Sequence, residues 1–325
     1  MGTQDGLVPS RRSRGKSMGQ RARQVTIFCF AVGTITGCVS LCSDETAKDA
    51  KPALIEVARF PAYTEGPVID RRGNVYVSHH PFVSRVTPQG EISVWADIGR
   101  PNGHAIKSDG THLICDQNIL LFNAAGELLE TAATACGDHD IRKANDLVVA
   151  DDGGFFFTDP GNAPEAYDKR IGRVCYIDAD GESHLVAENL HFPNGLVLVD
   201  NEKTLLVSET MTNRVLSIDV SKKLKFGAPR PFAALPDIEP GQPAGPDGMA
   251  EDRAGNIYVA HYGMSAVQVF DRDGAFVRSI TATANASNVV ITEAGGETLY
   301  ITGGVEPGYP ADGDGILQKV VLENR

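Results

Sequence analysis

Six segments of this chain repeat one construction: a polar residue, an apolar run, a turn and a second β-rich run. The copies begin at Glu65, Asn102, Asn145, Asn194, Asp247 and Asn288. Each copy has the composition of a β-hairpin, with Gly, Asp and Asn at its turn, and further strand-like pieces lie between copies. Four strands in about 45 residues is the size of one propeller blade. The repeat therefore predicts an all-β fold, a six-bladed β-propeller over residues 53–325.

The two ends of this repeat region both read as strands. The early segment ALIEVARF (53–60) is predicted to pair with the late segment GILQKVVLE (315–323) in the last blade. This pairing would close the ring and remove exposed sheet edges. Stacked β-sandwich domains are the alternative, but they would not require a polar residue at equivalent positions of every copy.

The shared polar residue stands where the innermost strand of each blade would begin. Equivalent positions of successive blades converge on the axis of a propeller, so these six side chains are predicted to ring one mouth of the central channel. All six carry oxygen donors, which suit a hard divalent cation. The sequence thus predicts a divalent metal in the channel, Ca²⁺ first, with Mg²⁺, Mn²⁺ and Zn²⁺ as alternatives. Turn formation is the alternative role of any single Asn-Gly pair.

The second strand of each hairpin returns toward the same mouth, so its last residues are candidates for a substrate pocket. These residues are His79, Asp116, Asp159, Glu209 and His261. Glu209 and His261 are the preferred members of the pocket. For each residue alone, a solvated strand end is the alternative interpretation.

The first 52 residues differ from the repeat region. RRSRGK and RAR are basic, and the apolar run VTIFCFAVGTI is followed by small residues, which is the order of a secretory signal. The segment ITGC resembles a bacterial lipobox, in which Cys38 would carry a lipid. We therefore predict a signal peptide over residues 1–37, a polar tether over residues 38–52, and an exported protein that is periplasmic or a membrane-anchored lipoprotein. A buried cytosolic helix is the alternative.

Composition and motifs exclude several classes. The formal net charge of −12 argues against a nucleic-acid partner. The chain has no GxSxG elbow for a serine hydrolase and no P-loop for a nucleotide. Cys115, Cys136 and Cys175 form no CxxC pair, so a zinc ribbon is not supported. Two of these three cysteines could pair in an oxidising compartment, and the sequence leaves the choice open.

Four motifs in order along the chain carry a resemblance to a known family. EGPV, ANDLVV, FPNGLVL and GPDGMAEDRAGNIYVA resemble the family of senescence marker protein (regucalcin), gluconolactonase and luciferin-regenerating enzyme. The similarity extends from about Glu56 onward. It implies a six-bladed propeller with one divalent metal in its channel, and an activity as a lactonase or related ester hydrolase.

The resemblance also implies roles for individual residues. Glu65, Asn194 and Asp247 match the family's metal ligands, and Asp247 matches the residue given the acid–base role. Asn145 matches an asparagine that contacts metal-bound water or substrate, which makes it a further candidate ligand. Lys143 stands where family members often carry an arginine that contacts the sugar, so the charge remains but the bidentate geometry is lost.

The function expected from the sequence is a metal-dependent hydrolase that opens a lactone, such as a sugar lactone, with Asp247 as its catalytic residue. The expected partner is this small-molecule substrate, and the oligomeric state is left open. The predicted substrate-binding residues are Asn145, Lys143, Asn102, Glu209 and His261. Two alternatives remain: hydrolysis of another ester or a phosphotriester at the same site, and a non-catalytic propeller that binds calcium or another ligand.

Overall fold

The computed structural model describes residues 53–221, 224–238, 244–292, 297–307 and 313–322. The predicted signal peptide, Cys38 and the whole of the predicted tether lie outside the described residues. Among the residues that are described, no helix is long and apolar enough to cross a membrane.

Short antiparallel strands make up most of the described chain. One short helix, α1 (Glu165–Asp168), interrupts them between β13 and β14, and a single 3-10 turn spans Thr210–Thr212. The strands in chain order are β1 (Ile55–Phe60), β2 (Thr64–Ile69), β3 (Val75–His79), β4 (Phe82–Val86), β5 (Ile92–Asp97), β6 (His104–Ile106), β7 (His112–Cys115), β8 (Ile119–Phe122), β9 (Leu128–Ala133), β10 (Ala135–Cys136), β11 (His139–Asp140), β12 (Leu147–Val149), β13 (Phe155–Asp159), β14 (Gly172–Ile177), β15 (Ser183–Leu190), β16 (Pro193–Val199), β17 (Thr204–Glu209), β18 (Arg214–Ser221), β19 (Lys225–Phe226), β20 (Arg230–Ala234), β21 (Gly245–Glu251), β22 (Ile257–Tyr262), β23 (Ala266–Phe270), β24 (Phe276–Thr281), β25 (Asn285–Thr292), β26 (Thr298–Gly304) and β27 (Gly315–Val321).

These strands form six blades, and the six-bladed propeller predicted from the repeat is confirmed. Blades 1 to 5 start at β2, β6, β12, β16 and β21, and each runs outward in chain order from its first strand. Blade 6 consists of β25, β26 and β27, and β1 supplies its outermost strand. Ile55 faces Lys319 and Phe60 faces Gly315 in this closing pair, as the sequence predicted. The ring is thereby closed by hydrogen bonds between the two ends of the described chain.

A repeated aspartate fixes the hairpin turns. In DRRGNVY, Asp70 Oδ1 accepts hydrogen bonds from the backbone N–H groups of Arg72 and Asn74, both at 2.9 Å. Its other oxygen accepts from the Asn74 amide and from the Tyr76 hydroxyl. Asp252 makes the same set of contacts in DRAGNIY. The side chain thus replaces water at the backbone groups of a tight turn, which sets the register of the two inner strands.

The core lies between neighbouring blades. Between blades 3 and 4, for example, Phe156 and Tyr176 pack against Leu205 and Ile218, and all four are almost fully buried. A disulfide joins Cys136 in β10 to Cys175 in β14 and ties the small β10–β11 hairpin to blade 3. Cys115 is a buried free thiol in the same cluster. The structure thus identifies the pair that the sequence left open.

Candidate metal centre at the channel mouth

The inner strands of blades 1, 4, 5 and 6 are irregular at the mouth, which is the end of the channel where the inner strands start. In blade 1 the register shifts between Glu65 and Val68, which face Ser78 and Tyr76. The inner strands of blades 4 and 5 shift at the same place, around Asn194 and Asp247. An extra residue at a β-bulge bends the strand and redirects a side chain. Because of the bulge, the side chains of Glu65, Asn194 and Asp247 do not follow the regular alternation between the two faces of their strands.

The glycine after each of these residues allows the inner strands to touch. A Cβ atom on Gly195 would lie 2.3 Å from the carbonyl oxygen of Asp247 in the next blade. One on Gly248 would lie 2.0 Å from the side chain of Asn288 in the blade after that. No other residue fits where two backbones approach this closely. The glycine of each Asn-Gly or Asp-Gly pair is thus required by ring packing.

Hydroxyl groups of neighbouring blades hold the backbone of the site residues. Thr158 Oγ1 donates to the carbonyl oxygen of Asn194 at 2.9 Å, and Ser208 Oγ donates to that of Asp247 at 2.6 Å. Both hydroxyl groups are fully buried. These cross-blade hydrogen bonds fix the site residues relative to each other, because each joins one blade to the next around the ring.

Three carboxyl groups come together here: Glu65, Asp146 and Asp247, which we term the carboxylate cluster. Burial, followed by the charges of Glu65 and Asp146, raises the pKa of Asp247 well above its ordinary value. Burial, followed by the charge of Asp146, raises the pKa of Glu65 to about 8. Burial also raises the pKa of Asp146 to about 7. Like charges held together away from water disfavour ionisation, and a cation would relieve this cost.

Amide groups connect the carboxylates. The Asn194 side chain is hydrogen-bonded to Asp247. Asn288 Nδ2 donates to Asp146 Oδ2 at 3.1 Å, and the same side chain is hydrogen-bonded to Glu65. The structure therefore brings together the three residues that the sequence matched to metal ligands and adds two more polar groups beside them.

Asp146 is a site residue that the sequence reasoning missed, and Asn288 is displaced by one position. The bulge in blade 6 lies between Ala286 and Asn288, so Ser287 occupies the position that Glu65 holds in blade 1. Asn288 instead aligns with the glycines of the other copies, as Asp146 does in blade 3. The prediction that Asn288 starts its repeat is therefore wrong by one residue. A carboxylate at a glycine position was the available signal for Asp146.

Asn145 has the features of a ligand. Its backbone N–H donates to the carbonyl oxygen of Thr158, while its buried Oδ1 atom has no hydrogen-bond partner among the described residues. An unpartnered buried oxygen is costly unless something else binds it. In the described ranges no three His, Cys, Asp or Glu side chains are arranged to hold a metal ion by themselves. A cation here would therefore depend on amide oxygens, and the oxygen-only donor set fits a hard divalent ion.

Three tyrosines surround the carboxylate cluster, and the sequence reasoning named none of them. Burial, followed by the charges of Asp247 and Glu65, raises the pKa of Tyr262. The rings of Tyr63 and Tyr262 meet edge to face with 6.3 Å between centroids. Burial and then Asp247 raise the pKa of Tyr167, which reaches the mouth from the segment that contains α1. The mouth is thus lined by phenol rings as well as carboxylates.

The remaining predicted substrate-binding residues differ in how accessible they are. Lys143 is exposed, and its backbone N–H donates to Asp159 Oδ1 at 3.0 Å. Asn102 is half-buried, and its backbone lies against Gly66 of blade 1. His261 is fully buried, with Nδ1 3.2 Å from the amide nitrogen of Gln268. Burial lowers the pKa of His261 to about 4, so this imidazole is neutral at neutral pH.

Glu209 is fully buried and its carboxylate is already bonded on both oxygens. Oε1 accepts from the Arg170 guanidinium and from the backbone N–H of His191. Oε2 accepts from the Thr212 hydroxyl and from Arg214. The hydrogen bonds, Thr212 first, and the charge of Arg214 outweigh burial and lower the pKa of Glu209. This carboxylate is therefore ionised, and both of its oxygens are bound by protein groups. These contacts do not support its predicted contact with substrate.

The fold and the site define a class of propeller, and comparison with known proteins gives the family. Residues 63–304 match the family described as SMP-30/Gluconolactonase/LRE-like region. This match covers well over half of the chain. The chain belongs to this family, as its sequence motifs implied.

Individual relatives agree with this assignment. The chain is 30% identical over 249 residues to lactonase drp35 of Staphylococcus saprophyticus, covering 70% of this chain and 72% of that protein. It is 25% identical over 253 residues to diisopropyl-fluorophosphatase of Loligo vulgaris, covering 69% and 80%. A gluconolactonase of Xanthomonas campestris superimposes with a TM-score of 0.70 at 25% identity, covering 83% and 89%. A calcium-binding regucalcin of Agrobacterium tumefaciens superimposes with a TM-score of 0.70 at 20% identity, covering 85% and 96%, and shares the fold.

Proposed function

We propose that this protein is a metal-dependent hydrolase that opens a lactone ring, with a sugar lactone as the substrate class. The observation that carries the proposal is the carboxylate cluster at the mouth, with the unpartnered oxygen of Asn145 beside it. Family membership and the relatives named lactonase and gluconolactonase support the reaction class.

The metal would be held by the oxygens of Glu65, Asn194, Asp247 and Asn145, with Ca²⁺ as the preferred ion. When bound, a divalent cation supplies Lewis-acid polarisation of a carbonyl and activation of water. The two ligand carboxylates balance a charge of +2, and the two amides contribute neutral donors. Asn288 and the cross-blade hydroxyl groups keep these ligands in place through the hydrogen bonds described above.

The protein groups at the mouth have separable roles. Asp247 accepts the proton of the attacking water on its carboxylate and later returns it to the ring oxygen of the lactone as that bond breaks. The side-chain amide of Asn145 orients the carbonyl and stabilises the negative charge that develops on its oxygen. The phenol rings of Tyr63 and Tyr262 shape the pocket and limit the access of bulk water.

Acid release from glucono-1,5-lactone, followed in a pH-stat, tests this proposal. Purified protein is assayed as isolated, after treatment with a chelator, and after re-addition of Ca²⁺, Mg²⁺ or Mn²⁺. We expect hydrolysis to be lost with the chelator and restored by one of these cations. Hydrolysis that is insensitive to thorough metal removal would contradict metal dependence. Absence of hydrolysis across a lactone panel, with the cation bound, would contradict the lactonase.

Phosphotriester hydrolysis is the second candidate reaction. The relative from Loligo vulgaris named diisopropyl-fluorophosphatase favours it, because this relative covers 69% of the chain at 25% identity. The metal-loaded protein is therefore assayed in parallel on a lactone and on a phosphotriester. A higher kcat/KM for the triester would replace the lactone as the proposed substrate, while turnover of neither would favour the non-catalytic, calcium-binding alternative.

We also propose that the protein is exported and that Cys38 anchors it to a membrane. The disulfide between Cys136 and Cys175 supports an oxidising compartment, because cytosolic thiols are kept reduced. Fractionation of cells that express the full chain, with Cys38→Ala as the variant, tests both parts. The wild-type chain should be found with membranes and the variant in the soluble periplasm. Recovery of both in the cytosol would contradict export.

A further inference from the structure

One loop of blade 3 contacts the neighbouring blade 4 beside the mouth. This loop, residues 160–171 between β13 and β14, contains α1, and we term it the strap. Arg170 at its end forms an ion pair with Glu209 of blade 4, with 3.0 Å between Nη1 and Oε1. The carbonyl oxygen of Tyr167 lies 2.8 Å from Nε2 of His191, which lies just before β16, the first strand of blade 4. The strap is therefore attached to both blades, since its two ends continue into strands of blade 3.

These attachments set the position of one side chain, Tyr167. Its ring packs on Phe192 with 5.1 Å between centroids. Phe192 lies two residues before Asn194, whose side chain is hydrogen-bonded to Asp247. The strap thus places a phenol directly beside the predicted metal ligands, although Tyr167 is 80 residues from Asp247 in the chain.

Glu209 is suited to hold the strap. It is fully buried, whereas the side chain of Arg170 is 51% exposed. Arg214 and Thr212 donate to the carboxylate from within blade 4. The backbone N–H of His191, the residue before Phe192, also donates to it. A charged acceptor held in this way gives a stronger and more directional hydrogen bond than a mobile surface carboxylate.

We propose that Tyr167 is a specificity-determining residue that contacts the ring substituents of a hydroxylated lactone, and that Arg170 and Glu209 are its positioning residues. This inference rests on the proposed function and deepens it by naming what distinguishes the substrate. A phenol offers an apolar face to the C–H groups of a sugar ring and a hydroxyl group to its alcohols. A lactone without ring substituents still has C–H groups, but it lacks the alcohols and the hydroxymethyl group that Tyr167 would contact.

The test compares two lactones with the same six-membered ester ring. Glucono-1,5-lactone carries hydroxyl and hydroxymethyl substituents, and δ-valerolactone carries none. Arg170→Gln should raise KM for glucono-1,5-lactone about 3- to 10-fold, the size expected for one lost contact, with kcat changed less than about twofold. The kinetics on δ-valerolactone should stay as in the wild type. Arg170→Lys, which can still pair with Glu209, should restore most of the KM.

Arg230→Gln is the matched control. Arg230 is 56% exposed and forms an ion pair with Asp219 in the outer strands of blade 4, away from the strap. The same substitution there should leave both lactones unaffected. Tyr167→Ala should reproduce the selective KM effect, whereas Tyr167→Phe separates the contribution of the hydroxyl group from that of the ring.

Equal losses on both lactones in Arg170→Gln, or the same loss in Arg230→Gln, would overturn the specificity role. Amide hydrogen exchange of residues 160–171, read by mass spectrometry, is a measurement that needs no activity. We expect faster exchange there in Arg170→Gln than in Arg230→Gln, since the backbone N–H groups of Ala166 and Tyr167 donate to carbonyl oxygens within the strap. Unchanged exchange would overturn the positioning role. If the wild type opens no lactone, the proposed function fails while the exchange result still decides how the strap is held.

Discussion

The carboxylate cluster at the mouth and a histidine pair in blade 2 are both buried, but only the histidine pair is free of charge. His104 Nε2 lies 2.8 Å from His112 Nδ1, and the rings pack against Tyr76 and Trp95 of blade 1. Burial lowers the pKa of His104, and it lowers that of His112 to about 4. One imidazole donates and the other accepts, so this hydrogen bond needs no charge, while Nδ1 of His104 is buried without a hydrogen-bond partner among the described residues.

The carboxylate cluster has no such internal solution. Besides burial, the charge of Asp146 raises the pKa of Glu65, and the charges of both raise the pKa of Asp247, while the amide partners donate hydrogen bonds without supplying positive charge. The comparison separates two uses of buried polar groups. The histidine pair completes a packed interface between blades, whereas the mouth gathers three buried carboxyl groups whose ionisation a cation would favour, in line with the proposed metal centre.

The largest difference between the two regions should appear in activity. Asp247→Asn removes the proton acceptor and one ligand charge but keeps the shape of the side chain. We expect kcat for glucono-1,5-lactone to fall about 10²- to 10⁴-fold. The measurement is a pH-stat assay at saturating cation, with circular dichroism to verify the fold.

His112→Gln is the control for this first prediction. It alters a buried polar pair of similar depth without touching the mouth, so its activity should stay within about twofold of the wild type. Near-normal turnover by Asp247→Asn would remove Asp247 from the catalytic role. A large loss in His112→Gln would show that activity reports packing anywhere in the ring, and the contrast between the regions would disappear.

The fold was predictable from the sequence because its signals are local. Each hairpin is recognisable by its alternating apolar residues and by turn residues such as those of DRRGNVY, where Asp70 accepts hydrogen bonds from the backbone of its own turn. Six copies then imply six blades, and the pairing of β1 with β27 follows from the need to close the ring. The three matched ligands, Glu65, Asn194 and Asp247, were predictable in the same way, since they recur at one position of the repeat.

What the sequence did not reveal depends on contacts between distant segments. The residues around Asn288 give no sign of the bulge that shifts it by one position. Asp146 was overlooked because the repeat pattern selects the asparagine before it. Tyr167 reaches the mouth through the strap, which no repeat copy shares. The partner of Cys136 depended on which side of blade 3 the β10–β11 hairpin packs. Periodicity predicts strands, but it does not predict which loops contact the mouth of the channel.

Without a bound cation, the stability contributed by the two regions should depend on pH in opposite directions. In protein without cation, Glu65 and Asp146 have native-state pKa values above those of the unfolded chain. The native state then holds more protons between these values, so the stability contributed by the cluster is lost as pH rises from about 4 to about 8. A cation at 100 times its Kd should add about 2.7 kcal/mol of unfolding free energy, and more of its effect should appear at the higher pH.

Urea unfolding at about pH 5.5 and about pH 8, with chelator and with Ca²⁺, measures this effect. Glu65→Gln, which removes one repelling charge, should weaken the stabilisation by Ca²⁺ and reduce the pH dependence of the chelated protein. Stabilisation of equal size in wild type and variant would mean that the cation binds elsewhere. Stability without any response to Ca²⁺ would make the excess of charge at the mouth a structural feature alone.

The smallest effect concerns the histidine pair and has the opposite sign. His112 has a native-state pKa of about 4, below its ordinary value, so the unfolded chain takes up the proton first as pH falls. Stability contributed by the neutral ring is therefore present above about pH 6.5 and is lost toward pH 4, by about 1–2 kcal/mol between about pH 6.5 and pH 5. The charge of Asp70 opposes part of this shift. His112→Gln should make the acid loss shallower by about one proton, measured by urea unfolding with Ca²⁺ present. An unchanged slope would show that His112 is protonated within the fold, and the two buried clusters would then no longer differ in kind.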